Sequence, residues 1–179
     1  MKSVRWRATL GAAIALPFVL VALTAVQAAL SKGEKSPDFK LTSIDGTALS
    51  FADIRKDPAR KGATRVVLLD FWATWCPACR DEIPHLQKLH VKYEKRGLAV
   101  VGIALDRGGI KDVKPFAANR KLTYTLLLDP KGAVKRKYGV RLIPATFIID
   151  RQGIVRSVHI GFVPGMEKAL EAEVKSLLK

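Results

Sequence analysis

Cysteine is almost absent from the 179-residue chain: there are two, Cys76 and Cys79, three positions apart. A pair that close staples no distant segments, so the disulfide framework of a small secreted fold is excluded. The chain is instead long enough to hold one domain by burial alone. Histidine is also scarce, with only His85, His90 and His159. A zinc site needs four ligands at one point. On one helix His85 would stand about 9 Å along the axis from Cys79, and His90 further, so neither converges with the thiols. No metal site is expected, and the three histidines read as surface or packed residues. Acid is in deficit too, 16 Asp and Glu against 31 Lys and Arg, for a formal net charge of +15. The basic residues are interspersed through most of the chain, with Lys131, Lys135, Arg136, Lys137 and Arg141 coming closest to a cluster. That spread argues against nucleic-acid binding and for solubility or attraction to anionic lipid and acidic partners. Internal repeats are missing, as is low complexity beyond one N-terminal apolar run.

That run follows Lys2, Arg5 and Arg7 and extends from Ala8 to Leu30 without a charge. As a helix it would reach about 35 Å, enough for a hydrocarbon core of about 30 Å. Its length favours an uncleaved anchor over a signal peptide, although Val26-Gln27-Ala28 resembles a small-residue cleavage site and Pro17 interrupts the run. No cysteine ends it, which excludes a lipid-modified cysteine. Lys32, Lys35 and Lys40 nearly balance the basic residues before the run, so counting positive charge leaves orientation nearly tied. An N-terminal export signal makes an extracytoplasmic domain the default. The expected organisation is an anchor or signal peptide over 1–30, a tether over 31–36 and one domain over 37–179.

Within the domain, Phe39 to Thr42 and Thr47 to Phe51 predict strands joined through Ile44-Asp45-Gly46, an Asp-Gly hairpin signal. Ala52 to Thr64 reads as a loop with one helical turn. Val66 to Trp72 is a buried strand, and the segment after Cys79 a helix whose Ile83, Leu86, Leu89 and Tyr93 share one face. Pro84 should kink that helix and Gly97 should end it. Strands follow at Leu98 to Leu105, Thr123 to Leu128, Ala145 to Ile149 and Ile154 to Ile160. Helices are expected at Ile110 to Asn119, Val134 to Tyr138 and Gly165 to Lys179. Strands alternating with helices around apolar runs give a three-layer α/β fold.

The strand-to-helix turn at Cys76-Pro77-Ala78-Cys79 carries the chemistry. Unpaired N–H groups and the helix dipole at such a turn favour a thiolate over a thiol. Cys76, nearer the helix start, is the expected attacking thiolate, and Cys79, a turn further in, the resolving thiol.

The run Phe71-Trp72-Ala73-Thr74-Trp75-Cys76-Pro77-Ala78-Cys79-Arg80 resembles the active-site signature of the thioredoxin superfamily. Pro37-Asp38-Phe39, the Cys76 to Pro84 run, Tyr138-Gly139-Val140, Ile143-Pro144 and Phe147-Ile148-Ile149-Asp150 resemble its membrane-tethered, extracytoplasmic TlpA/ResA/CcmG branch. The resemblance spans about Lys35 to Lys179. It implies a thioredoxin-like fold: a mixed central sheet with an N-terminal β-hairpin and an inserted helix-strand unit. Asp70 corresponds to the buried acid of thioredoxin, a proton shuttle for the buried thiol. Many members of the branch carry Asn there, and some an acid between the cysteines where this chain has Ala78, which leaves Asp70 as the one candidate shuttle. Pro144 corresponds to the cis-proline opposite the dithiol. The expected substrate groove is bordered by Pro144, Ile143 and Ala145, with Trp75, Pro77 and Ala78 beside the cysteines. Trp72 serves the groove or the core on even terms. Arg80 and Glu82 read as helix-surface charges.

The implied activity is reduction of protein disulfides outside the cytoplasm, with no cofactor beyond the Cys76–Cys79 redox pair. The implied partners are a disulfide-containing substrate such as apocytochrome c or a copper-assembly protein, and a membrane thiol electron donor. The expected state is a monomer at a bacterial inner membrane, its domain facing the periplasm or cell exterior, or a secreted or periplasmic protein after cleavage. Oxidase or isomerase activity is the alternative direction. A thiol peroxidase fits less well, because Ala73 and Leu69 stand where a peroxiredoxin has Thr or Ser and Pro. A copper chaperone lacks its wider cysteine spacing and converging histidine.

Overall fold

The computed structural model describes residues 29–59 and 61–179. The expected anchor lies outside the described residues, except for its last two positions. Two strands form the centre because, Asp70 apart, every one of their residues is apolar or glycine: β3, Val66–Trp72, and β4, Leu98–Ala104. They run parallel with Asp70 opposite Gly102. The sheet is completed by β1 (Lys40–Ser43), β2 (Ala48–Ser50), β5 (Thr125–Leu128), β6 (Ala145–Ile149) and β7 (Val155–Ile160), in the order β2-β1-β5-β4-β3-β6-β7. β5 is parallel to β4, whereas β6 is antiparallel to β3 and to β7, and the β1–β2 hairpin pairs antiparallel with β5. The sheet is therefore mixed, as expected.

Side chains alternate along β3. Val67, Leu69 and Phe71 enter one apolar layer with Phe39, Phe51, Val134, Tyr138 and Phe147. Val66, Leu68 and Trp72 enter the other, under α2 (Pro77–Tyr93) and α5 (Met166–Leu177), with Ile83, Leu86, Leu170 and Val174. The first layer is closed by α1 (Phe51–Arg55) and α4 (Ala133–Lys137); α3 (Ile110–Asn119) adds Val113 to the second. Asp70 has the parity of Leu68 and Trp72, which directs its carboxyl beneath α2.

Local rules account for the differences from expectation. Phe51 opens α1 instead of extending the second strand, because Ser50 and Asp53 form a reciprocal capping box. Pro84, expected to kink α2 and not to end it, lies inside the helix, which runs on to Tyr93. After Tyr93 one 3-10 turn, Glu94–Arg96, leads to Gly97 at φ 97°, a left-handed stop suited to glycine. Residues read as a tether are paired: Gly33 N–H donates to Val155 O (2.8 Å), Val155 N–H to Glu34 O (2.9 Å) and Ser36 N–H to Gly153 O (2.9 Å).

Candidate active site

The turn from β3 into α2 is held from β4. Asp106, just past β4, is buried and accepts the Thr74 amide at 3.2 Å and the Thr74 hydroxyl at 2.5 Å. No local signal in the sequence links Asp106 to Thr74, which stands 32 residues away. The next residues close into a Cys76–Cys79 disulfide. Cys76 is the N-cap of α2 and Pro77 its first residue, where a missing N–H costs nothing. The Cys79 amide points at Cys76 Sγ from 3.2 Å, so a donor is already aimed at the sulfur that becomes a thiolate when the bond opens. Cys76 keeps 5% exposure and Cys79 none.

Across from the sulfurs, the Ile143–Pro144 peptide is cis, and Ile143 O lies 3.9 Å from Cys76 Sγ. Pro144 O accepts the Gly161 amide at 2.8 Å, tying this turn to the end of β7. Pro144 is buried and Ile143 half-buried, while Trp75, Pro77 and the neighbouring Leu142 are exposed and Ala78 is half-buried. Ile143 and Pro144 therefore face Cys76 and its chain neighbours Trp75, Pro77 and Ala78 across one mouth, whereas Ala145, expected to border the same groove, is fully buried at the start of β6. Trp72 is separate from it: fully buried, it packs against Phe116 with ring centroids 5.4 Å apart.

Beneath the mouth is a pair of carboxyls. Asp70 is 1% exposed and sits opposite Thr146 in the β3–β6 register. Glu82 comes down from α2 and is completely buried, which corrects its reading as a surface charge; Arg80, by contrast, is exposed. The Thr146 hydroxyl lies 2.8 Å from Glu82 Oε1 and 3.5 Å from Asp70 Oδ1. One hydroxyl carries one proton and cannot donate to both. Asp70 Oδ2 and Glu82 Oε2 have no hydrogen-bond partner among the described residues. Burial, then the neighbouring Glu82 charge, holds the Asp70 carboxyl well above the usual carboxylate range, with the Thr146 contact opposing. Burial pushes Glu82 up to about 7, again against Thr146. Two carboxyls thus share one apolar layer, and Asp70 is not the sole candidate shuttle. The stripe on α2 through Cys79, Ile83, Leu86, Leu89 and Tyr93 held the clue: position 82 is three residues after Cys79 and four before Leu86, on the same face.

His85 stacks on Phe162 at 5.4 Å, and His90 is buried beside Tyr124 and 3.5 Å from Glu94. Neither histidine meets the sulfurs.

A family model described as AhpC/TSA matches residues 32–158. The chain belongs to the AhpC/TSA family. This AhpC/TSA-family chain is similar to the thioredoxin-like protein YneN of Bacillus subtilis, with 35% identity over 133 residues, 74% of this chain and 73% of the relative. It is also similar to the thiol-disulfide oxidoreductase ResA of Geobacillus thermodenitrificans, with 32% identity over 133 residues, 74% and 71% of the two chains. Among solved structures, a Chlorobium tepidum protein assigned as thiol:disulfide interchange protein DsbE superposes with a TM-score of 0.75 at 37% identity, over 84% of this chain and all of the other. The thioredoxin-like fold expected from the sequence is the fold found. With its Cys-Pro-Ala-Cys pair, this AhpC/TSA-family member is a thiol-disulfide oxidoreductase working by dithiol–disulfide exchange.

Proposed function

We propose that the enzyme reduces protein disulfides outside the cytoplasm, with Cys76 as nucleophile and Cys79 as resolving thiol. The supporting observation is the Cys79 amide directed at Cys76 Sγ, at a helix start facing Ile143 O. In the reduced enzyme the Cys76 thiolate attacks one substrate sulfur; an enzyme–substrate disulfide forms and the other sulfur leaves as a thiolate that takes up a proton. Cys79 gives its proton to the Asp70–Glu82 pair and attacks Cys76 Sγ. That step closes the Cys76–Cys79 disulfide and releases the second substrate sulfur, which is protonated. The substrate gains two electrons from the thiolate–thiol pair and two protons: the first leaving thiolate takes its proton from solvent, and the second takes the Cys79 proton back from the carboxyl pair. A membrane dithiol of the electron-donor class restores the reduced form by the reverse exchange. Pro144, Ile143, Trp75, Pro77 and Ala78 border the groove in which an extended substrate segment lies beside the Ile143 backbone. The names of the relatives are consistent with the reductant direction, and the substrate classes are an apocytochrome c or a copper-assembly protein. Residues 1–30 act as the membrane anchor.

Substrate trapping tests this reading. Cys79→Ala should accumulate a mixed disulfide through Cys76 in the cell envelope, and Cys76→Ala should not. The reverse pattern would exchange the two roles. Turnover of hydrogen peroxide by the reduced protein at the rate of disulfide reduction would replace the reading with a peroxidase, despite Ala73 and Leu69.

A further inference from the structure

The stretch from Lys131 to Arg141 holds five cations, Lys131, Lys135, Arg136, Lys137 and Arg141, and no Asp or Glu occurs between Pro130 and Ile149. Structure turns this weak sequence cluster into a face. Helix α4 directs Val134 inward and is followed by buried Tyr138, leaving Lys131, Arg136, Lys137 and Arg141 exposed and Lys135 half-exposed. Asp129, the carboxylate at the start of α4, is itself buried and consumed by the amides of Ala133, Val134 and Lys135 at 2.8–2.9 Å. None of the five cations joins an ion pair among the described residues. Among the described residues the only hydrogen bonds from their side chains go to carbonyls, Arg136 to Lys131 O and Lys137 to Asp38 O.

A second, independent observation concerns the end of the apolar run. The Leu30 amide donates to Tyr138 O at 3.2 Å, one residue beyond α4, and the Leu30 side chain packs on the apolar layer beneath. From there the chain is fastened through Gly33, Glu34 and Ser36 to the β7 side, and Ser36 Oγ bonds Tyr138 Oη at 2.6 Å. Among the described residues the chain is thus fastened beside α4 from Leu30 onward. Lys32 and Lys35 add exposed positive charge beside it.

We propose that the Lys131–Arg141 face docks on the anionic surface of the bilayer that holds the apolar run ahead of Leu30, fixing the domain in one orientation. The proposal rests on the anchor reading given above. Each basic residue within a Debye length of an anionic surface enriches the bound state by about fivefold. Fastening at Leu30 keeps the face near that surface, so even modest attraction holds it. The same stretch continues through exposed Leu142 to Ile143, whose carbonyl lies 3.9 Å from Cys76 Sγ. Docking therefore places the disulfide mouth beside the membrane, within reach of a membrane-embedded dithiol.

The test uses the full chain in vesicles of phosphatidylcholine, alone or with phosphatidylglycerol, and acetylates lysines before mass spectrometry. Flotation with neutral vesicles reports the anchor by itself. Labelling of Lys131, Lys135 and Lys137 should fall at least fivefold in the anionic bilayer, while Lys88 and Lys168, across the sheet on α2 and α5, stay unchanged. Added 0.5 M salt should abolish the protection at all three lysines, and the triple variant K131E/K135E/R136E should abolish it at the remaining Lys137, while exchange with a small soluble disulfide persists. Equal labelling in both bilayers, with flotation intact, overturns the docking. If the chain does not float with neutral vesicles, the anchor reading fails. Docking then stands if anionic vesicles alone bind the chain in a manner lost in the triple variant, and falls if they do not. Protection of these lysines by an acidic protein, but not by anionic lipid, assigns the face to a protein and overturns the lipid proposal.

Discussion

Asp70 and Glu82 reach one Thr146 hydroxyl from a strand and a helix, and that single proton between two carboxyls sets the electrostatics of the site. A carboxyl with an unpaired oxygen in an apolar layer is cheaper protonated than charged. Both groups are raised, and the sign of the stability effect follows. Below pH 4.5 Glu82 is protonated in folded and unfolded chains alike. Between 4.5 and about 7 the unfolded chain has released a proton that the folded one retains, so stability falls as pH rises. The Glu82 share is at most about 3 kcal/mol, from the width of that window. Urea unfolding of the oxidised protein should show the fall; Glu82→Gln should make it shallower, and Asp70→Asn with Glu82→Gln should make it nearly flat. An unchanged slope in the double variant would place the titrating groups elsewhere. At the chemical step, Asp70→Asn should slow disulfide reduction near neutral pH without unfolding the domain, and an unaltered pH–rate profile would remove its proton role.

At the scale of elements, β4 and α2 are placed by close approach as much as by apolar surface. Gly102, beside Asp70 in the register, leaves room for the Trp72 indole: a Cβ added there would stand 2.7 Å from Trp72 Nε1 and 2.9 Å from Leu126 Cδ2. Gly102→Ala should therefore destabilise the domain by about 1–3 kcal/mol, measured by denaturant unfolding, because Trp72 cannot retreat from a packed layer. A neutral outcome would show that Trp72 and its contact with Phe116 have slack. The hairpin and α1 illustrate the opposite case, in which local chemistry suffices. Asp45-Gly46 turns the chain with Gly46 at φ 84°, Ser43 Oγ accepts the amides of Asp45 and Thr47, and Ser50 with Asp53 starts the helix.

For the whole molecule, the consequential contact is between the first described residues and the end of α4. Tyr138 Oη bonds Ser36 Oγ and donates to Pro37 O at 3.2 Å, while its ring packs on Phe71 and Phe147. Tyr138→Phe keeps the ring and removes the clamp. It should cost about 1–2 kcal/mol and speed hydrogen exchange at Leu30 and Ser36, with the sheet core unchanged. Exchange that stays slow there would mean that the backbone pairing with β7 holds the segment alone.

The periodic apolar runs, the Asp-Gly turn and the Cys-Pro-Ala-Cys spacing carried enough local information to reveal the strands, the helices and the redox pair. Each depends on neighbours within one or two turns of chain, and amino-acid order alone determines such neighbours. Three features depended on contacts between residues far apart in the chain. Glu82 read as exposed because a charged residue on a helix is cheapest in water; only the Asp70–Thr146 layer shows what it meets. Asp106 became a support for the Thr74 turn only when β4 was laid parallel to β3. The cations around α4 became a face beside Leu30 only when the chain folded back to bond Tyr138. Sequence determines which groups are available and how they repeat; the fold decides which of them share a dry layer or a common surface, and so which carry altered proton affinity or act together as charge.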